Sequence, residues 1–192
     1  MQALSVATRP DCVNGENVRL LTELSRKAPV FVELGLQTSN EDTARYINRC
    51  YPNCDFTDAV RLLRKNGLEV IVHIIIGLPN ETEEDILNTV KFVSAHDVQG
   101  VKLQLMHVLK GTRLAETDYV PLEIDEYYRL LALCLEHLRP DIVIHRLTGD
   151  GDKRQLVAPM WSGDKHRVLN GFLRYMNEHD IMQGSKYEKS DL

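Results

Sequence analysis

"EVIVHIIIG", residues 69–77, is the stretch that decides the fold. Apolar, mostly β-branched residues fill both parities of the run, which marks a strand covered on both faces, as in a parallel sheet flanked by helices. Gly77 and Pro79 end it. Asn80 reads as the cap of a following helix, with Glu81, Glu83, Glu84 and Asp85 in the first turn, where carboxylates oppose the helix dipole. Ile86, Val90 and Val93 then recur at helical spacing and give that helix a buried stripe.

The same strand-then-helix alternation extends in both directions. Upstream lie a strand "ALSVAT" (3–8), a helix marked by Val18, Leu21 and Leu24, and a strand "VFVELGLQ" (30–37). Next comes "SNEDTARYINR" (39–49), whose Ser39 and Asp42 have the spacing of a capping box. A helix carrying Phe56, Ala59, Val60 and Leu63 follows, and Asn66-Gly67 stops it. Downstream are a strand "GVKLQLMHV" (100–108), a helix with Tyr128, Leu131, Leu135 and Leu138 on one side, and a strand "DIVIHRLT" (141–148). The last helix carries Val168, Leu169, Phe172 and Met176. The expected organisation is one α/β unit of five parallel strands and their helices over 1–181, followed by a polar, fraying tail over 182–192.

Composition narrows the function classes. A net charge of −5 with dispersed Lys and Arg gives no electrostatic footprint for nucleic acid and no polybasic membrane patch. No basic segment precedes an apolar run at the start, and nowhere do about 18 apolar residues run together. The expected compartment is the cytoplasm, where the four cysteines would be thiols or ligands.

Strand parity points to a site. Glu33, Gly35 and Gln37 share one side of their strand, Lys102 and Gln104 one side of theirs, Ser5 and Arg9 one side of the first, and His73 lies with Ile75 and Gly77. Polar residues gathered on the inner side of a barrel either line a ligand chamber or satisfy one another as a hydrogen-bonded core.

Four segments in order, "LSVATRPD" (4–11), "VELGLQTSNEDT" (32–43), "HIIIGLPNET" (73–82) and "KGTRLA" (110–115), resemble the radical S-adenosylmethionine (SAM) superfamily. The likeness is to the branch of the elongator catalytic subunit and the oxygen-independent coproporphyrinogen dehydrogenases. With "HRLTGD" (145–150) and "LVAPMW" (156–161), it is similar to a subfamily widespread in bacteria. The resemblance implies a (β/α) TIM-type barrel. In that family a [4Fe–4S] cluster, held by a Cys-x3-Cys-x2-Cys loop, cleaves SAM reductively to a 5′-deoxyadenosyl radical.

"RCYPNCDF" (49–56) offers Cys50 and Cys54 at the first of those spacings, but Thr57 stands where the third cysteine belongs. The pair also falls between two helices, so it reads as two ordinary thiols. By motif order the chain begins at the family's third strand: a partial barrel lacking its first βα units, expected to be inactive alone. The resemblance carries Gln37 and Arg49 over as a Gln-x11-Arg pair whose guanidinium meets the SAM carboxylate; Arg49 otherwise reads as a surface helix arginine. His73 stands where relatives put an acid for the ribose hydroxyls, or it is a core histidine. Ile75, Gly77 and Val108 are carried over to adenine, and Glu33 is the chamber acid.

Arg9, Asp11, His107, His145, Arg146 and Asp150 lie at strand ends where substrate would bind. Two other functions compete. One is a metal-dependent hydrolase, which needs His73, His107 and His145 to converge on an ion. The other is a non-catalytic binding module of the same fold. An incomplete barrel also exposes an edge strand, which predicts self-association.

Overall fold

A computed structural model describes residues 2–149 and 151–189. Five strands, β1 (Leu4–Thr8), β2 (Val30–Gln37), β3 (Glu69–Ile76), β4 (Gly100–Leu105) and β6 (Val143–Arg146), form one parallel sheet in the order β1-β2-β3-β4-β6. The sheet is open, with β1 and β6 as its edges. Helices α1 (Gly15–Ser25), α2 (Glu41–Tyr46), α3 (Asn53–Lys65), α4 (Glu83–Ser94), α5 (Ile124–His137) and α6 (Lys165–Glu178) complete the α/β fold.

One sheet face supplies the core. Val32, Leu34, Leu36, Val70, Val72, Ile74, Val101 and Leu103 pack with Phe56, Leu63, Val90, Val93, Leu131 and Leu135 from the helices. Burying branched side chains on this face is the main stabilising term, at about 25 cal/mol per Å² of apolar surface removed from water. The opposite face keeps its polar residues half-exposed: along β2, buried and half-buried residues alternate throughout.

Details of the sequence reading change. Asn40, not Ser39, caps α2, its side chain accepting from the Asp42 and Thr43 amides. Thr82, not Asn80, caps α4 in a reciprocal box with Asp85, because Asn80 adopts φ 64 and turns the chain one step earlier. The run 100–108 divides: β4 stops at Leu105, and Val108–Leu109 is a separate strand, β5, antiparallel to β7 (Leu156–Ala158). Leu169 lies at the α6 surface, 36% exposed.

The polar tail is tied down over its first half. The final carbonyls of a helix lack intrahelical donors, and those of α5 accept from the Gly184 amide at Leu135 (2.9 Å) and the Lys186 amide at Glu136 (2.8 Å). Gln183 donates to the Ile142 carbonyl at 2.8 Å, and Ile181 packs on the core.

Candidate ligand-binding face

Parallel register brings the half-exposed residues of β1 to β4 together. His73 sits opposite Gly35 on one side and Lys102 on the other, and Glu33 opposite Ile71. The Glu33 carboxylate is the hub: it accepts from Ser5 Oγ at 2.6 Å, His73 Nε2 at 2.7 Å and Lys102 Nζ at 2.5 Å. Gln104 Nε2 lies 3.0 Å from His73 Nδ1.

Burial alone would raise the Glu33 pKa, but the bonds from Lys102, Ser5 and His73 outweigh it and bring it down to about 2. Burial lowers the His73 pKa, and the Lys102 and Arg146 charges add to that against the pull of Glu33. An ionised Glu33 beside a neutral His73 is therefore the resting state at neutral pH. The polar residues satisfy one another and share their face with the aliphatic side chains of Ile71 and Ile75.

Gln37 joins this face through a kink. Strand pairing slips between Gly35 and Gln37, and Gln37 takes φ 64, so its carboxamide folds back over Gly35. A Cβ at 35 would meet Gln37 Nε2 at 2.5 Å, so any larger residue there would have to push the carboxamide aside. The Tyr51 hydroxyl donates to the Gly35 carbonyl and lies 3.1 Å from Gln37 Oε1.

Arg49 has a different place from the one expected. Its side chain is 1% exposed and it donates to the carbonyls of Tyr51 (2.9 Å), Thr38 (2.7 Å) and Leu36 (3.3 Å), to Asn53 and to Glu41. The guanidinium assigned to a cofactor carboxylate is already occupied by this chain's own groups. It locks the end of β2 to the start of α3, and stacks over the Tyr51 ring at 4.8 Å.

Other expected positions disperse. Ile75 lies half-buried on the polar face opposite Gln104. Gly77, at φ 85, is approached closely by this chain itself: a Cβ there would meet Leu122 Cδ1 at 2.8 Å, and the Tyr119 hydroxyl donates to its carbonyl at 2.5 Å. Val108 is buried on β5, off the main sheet, and so is not on the strand β4 that neighbours Ile75. Arg9 and Asp11 form a two-pronged pair at 2.9 and 2.6 Å at the end of β1.

His107 packs on Gly149 and Gly151 beyond the end of β4, whereas His145 lies over Gly100 and edge-on to Phe31 at the start of the sheet. Arg146 pairs in register with Lys102. Asp150 lies outside the described residues. The three hydrolase histidines thus occupy three separate places, and no group of three metal-ligating side chains gathers among the described residues.

Cluster ligation meets the same obstacle. Cys12, Cys50 and Cys54 are exposed and Cys134 is buried in α5, while Thr57 bonds His96 Nε2 at 2.9 Å. These residues do not fit a [4Fe–4S] cluster. Strand parity places Ser5, Lys102 and Gln104 on the polar face without giving them a role, and it misses Tyr51, which reaches the face from a loop and carries no strand signal.

Residues 2–93 match the radical SAM superfamily, and residues 98–178 match the radical SAM C-terminal domain. The chain belongs to the radical SAM superfamily. It is similar to the protein YtqA of Bacillus subtilis (40% identity over 97% of this chain and 59% of YtqA). Protein YhcC of Escherichia coli is 33% identical over 95% of this chain and 60% of its own length. This radical SAM chain therefore spans about 60% of the length of these curated relatives.

Among solved structures, the archaeal Methanocaldococcus infernus Elp3 with an N-terminal deletion superposes with a TM-score of 0.82 at 22% identity, over 95% of this chain and 43% of that one. The shared fold places the open sheet among radical SAM TIM-type barrels, and the likeness is not confined to bacteria. No helix among the described residues is long and apolar enough to cross a membrane.

Proposed function

We propose that this chain is the C-terminal portion of a radical SAM enzyme barrel, and that the Ser5–Glu33–His73–Gln104–Lys102 face holds the adenosyl part of SAM. The observation that carries the reading is the Glu33 hub: an ionised, half-buried carboxylate on an open sheet face, with Ile75 as apolar surface beside it. For the adenosyl group the residues fit. Glu33 offers acceptors to hydroxyls, and Gln104 and Gln37 offer amides, the Gln37 carboxamide lying over Gly35. When bound and reductively cleaved, SAM supplies a 5′-deoxyadenosyl radical; the cluster for that step has no ligands here and belongs to residues outside this chain.

Location in the cytoplasm and self-association through the outer edge of β1 belong to the same proposal. A single monomeric mass across a wide concentration range in light scattering would remove the self-association. The main test uses the protein extended upstream and reconstituted without oxygen. SAM-dependent release of 5′-deoxyadenosine is expected, reduced by Glu33→Ala at equal cluster content. A cluster-loaded protein that releases none overturns the assignment.

A further inference from the structure

A slot opens at the C-terminal end of the strands, away from the Glu33 network. Tyr46 and Ile47 at the end of α2, Pro79 after β3, Met106 after β4, and Arg113 and Leu114 from the 3-10 turn Arg113–Glu116 line a volume of about 240 Å³. Its walls are mostly apolar, with Asn48, Thr117 and the exposed Arg113 as the polar exceptions. The Arg113 side chain is exposed and, like those of Arg19 and Arg26, makes no ion pair or hydrogen bond among the described residues. Tyr46 is 53% exposed, so an aromatic face is left open at the rim.

A second cavity of about 500 Å³ continues from the slot, sharing Tyr46, Pro79 and Thr117 with it. Its polar lining is mostly acidic: Glu81, Asp118, and Glu83 with Glu126 around Arg129. The two ends of this cleft therefore differ in sign. An anion is favoured at Arg113 and repelled from the far end, so charge alone sets one orientation for a ligand. An exposed guanidinium at the edge of a mostly apolar slot suits a planar two-oxygen group such as a carboxylate, or a phosphate monoester.

The geometry points to a substrate site here for a small molecule with an apolar, planar body and one terminal anionic group, the anion seated on Arg113 and the body against Tyr46 and Met106. A polynucleotide does not suit it, since the adjoining cavity is acidic and the chain carries a net charge of −5. This deepens the proposed function by naming a substrate class, and rests on it only for which end of the sheet is the working end.

Binding is read on the isotope-labelled chain by backbone amide shifts, without SAM, using 4-phenylbutyrate, phenyl phosphate and neutral 4-phenylbutyramide as probes. Failure of SAM cleavage and failure of this site therefore stay distinct. The expected result is that both anions shift the amides of Ile47, Arg113 and Leu114, with at least about fivefold tighter binding than the amide, a difference of order 1 kcal/mol. Tighter binding of phenyl phosphate identifies the anion as a phosphate, and tighter binding of phenylbutyrate as a carboxylate. Arg113→Gln should erase the preference and Arg113→Lys restore part of it, with unchanged amide spectra elsewhere showing an intact fold. Equal binding of amide and anions, shifts confined to other regions, or an Arg113→Gln protein that keeps the preference overturns the proposal.

Discussion

Glu33 and His73 meet across β2 and β3, with Oε2 2.7 Å from Nε2, and this contact fixes the histidine tautomer. Gln104 Nε2 faces the other ring nitrogen, so Nδ1 must accept and the ring proton must sit on Nε2. Charging His73 would set an N–H against the Gln104 amide and force that amide to flip. Nitrogen NMR of the imidazole should show the Nε2–H form near neutral pH, with a pKa below the ordinary histidine value. A ring protonated on Nδ1, or one already charged at neutral pH, would contradict the assignment.

Two half-buried carboxyls should act on stability in opposite pH windows. Glu33, lowered from 4.5 to about 2, contributes stability that is present above its unfolded value and is lost as pH falls through the folded one. Glu81 is raised from 4.5 to about 7, chiefly by burial, with the Thr38 hydroxyl opposing and Asp85 adding to the rise. Its contribution is present below 4.5 and lost as pH climbs towards 7. Thermal midpoints should therefore show Glu33→Gln losing less stability than wild type on acidification, and Glu81→Gln gaining on wild type as pH rises from 4.5 to about 7, with the gap levelling off above that. Parallel curves for wild type and both variants would refute this.

The sheet and its polar side were readable because parity is local: each strand announces which residues share a face, and "EVIVHIIIG" announces burial on both. What could not be read was how far a side chain reaches once the strand ends. Gln37 keeps its expected face only because a register slip and a left-handed residue fold it back, and neither leaves a mark in the sequence. Arg49 matched a motif by spacing, yet its environment is made by carbonyls of Leu36, Thr38 and Tyr51, which spacing does not specify. The tail looked free because its composition is polar, while Gln183, Gly184 and Lys186 are anchored on backbone carbonyls of α5 and the turn after it.

Arg49 should be a stability residue before it is anything else. Arg49→Met leaves several buried acceptors and Glu41 without their donor, at a cost of about 3 kcal/mol or more in denaturant unfolding. Arg49→Lys should recover little, since one ammonium cannot serve carbonyls on both β2 and the loop after α2. A near-neutral Arg49→Lys would show that charge, and not the forked geometry, holds this corner together.

Tyr51 tests how the proposed SAM face is positioned. Its ring is approached by two guanidiniums, Arg9 at 5.6 Å and Arg49 at 4.8 Å, while its hydroxyl pins Gly35 and approaches Gln37. Tyr51→Phe keeps the stack and removes only the pin, so the expected loss of stability is about 1 kcal/mol. The Gln37 side-chain amide signals should broaden or shift at the same time, because the carboxamide over Gly35 loses its neighbour. SAM affinity, by calorimetry, should fall by about fivefold in Tyr51→Phe and in Gln37→Ala, with no further loss when the two are combined. Additive losses would mean that Tyr51 acts on the ligand by a route other than Gln37. Unmoved amide signals in Tyr51→Phe would mean that the kink at Gln37 holds itself.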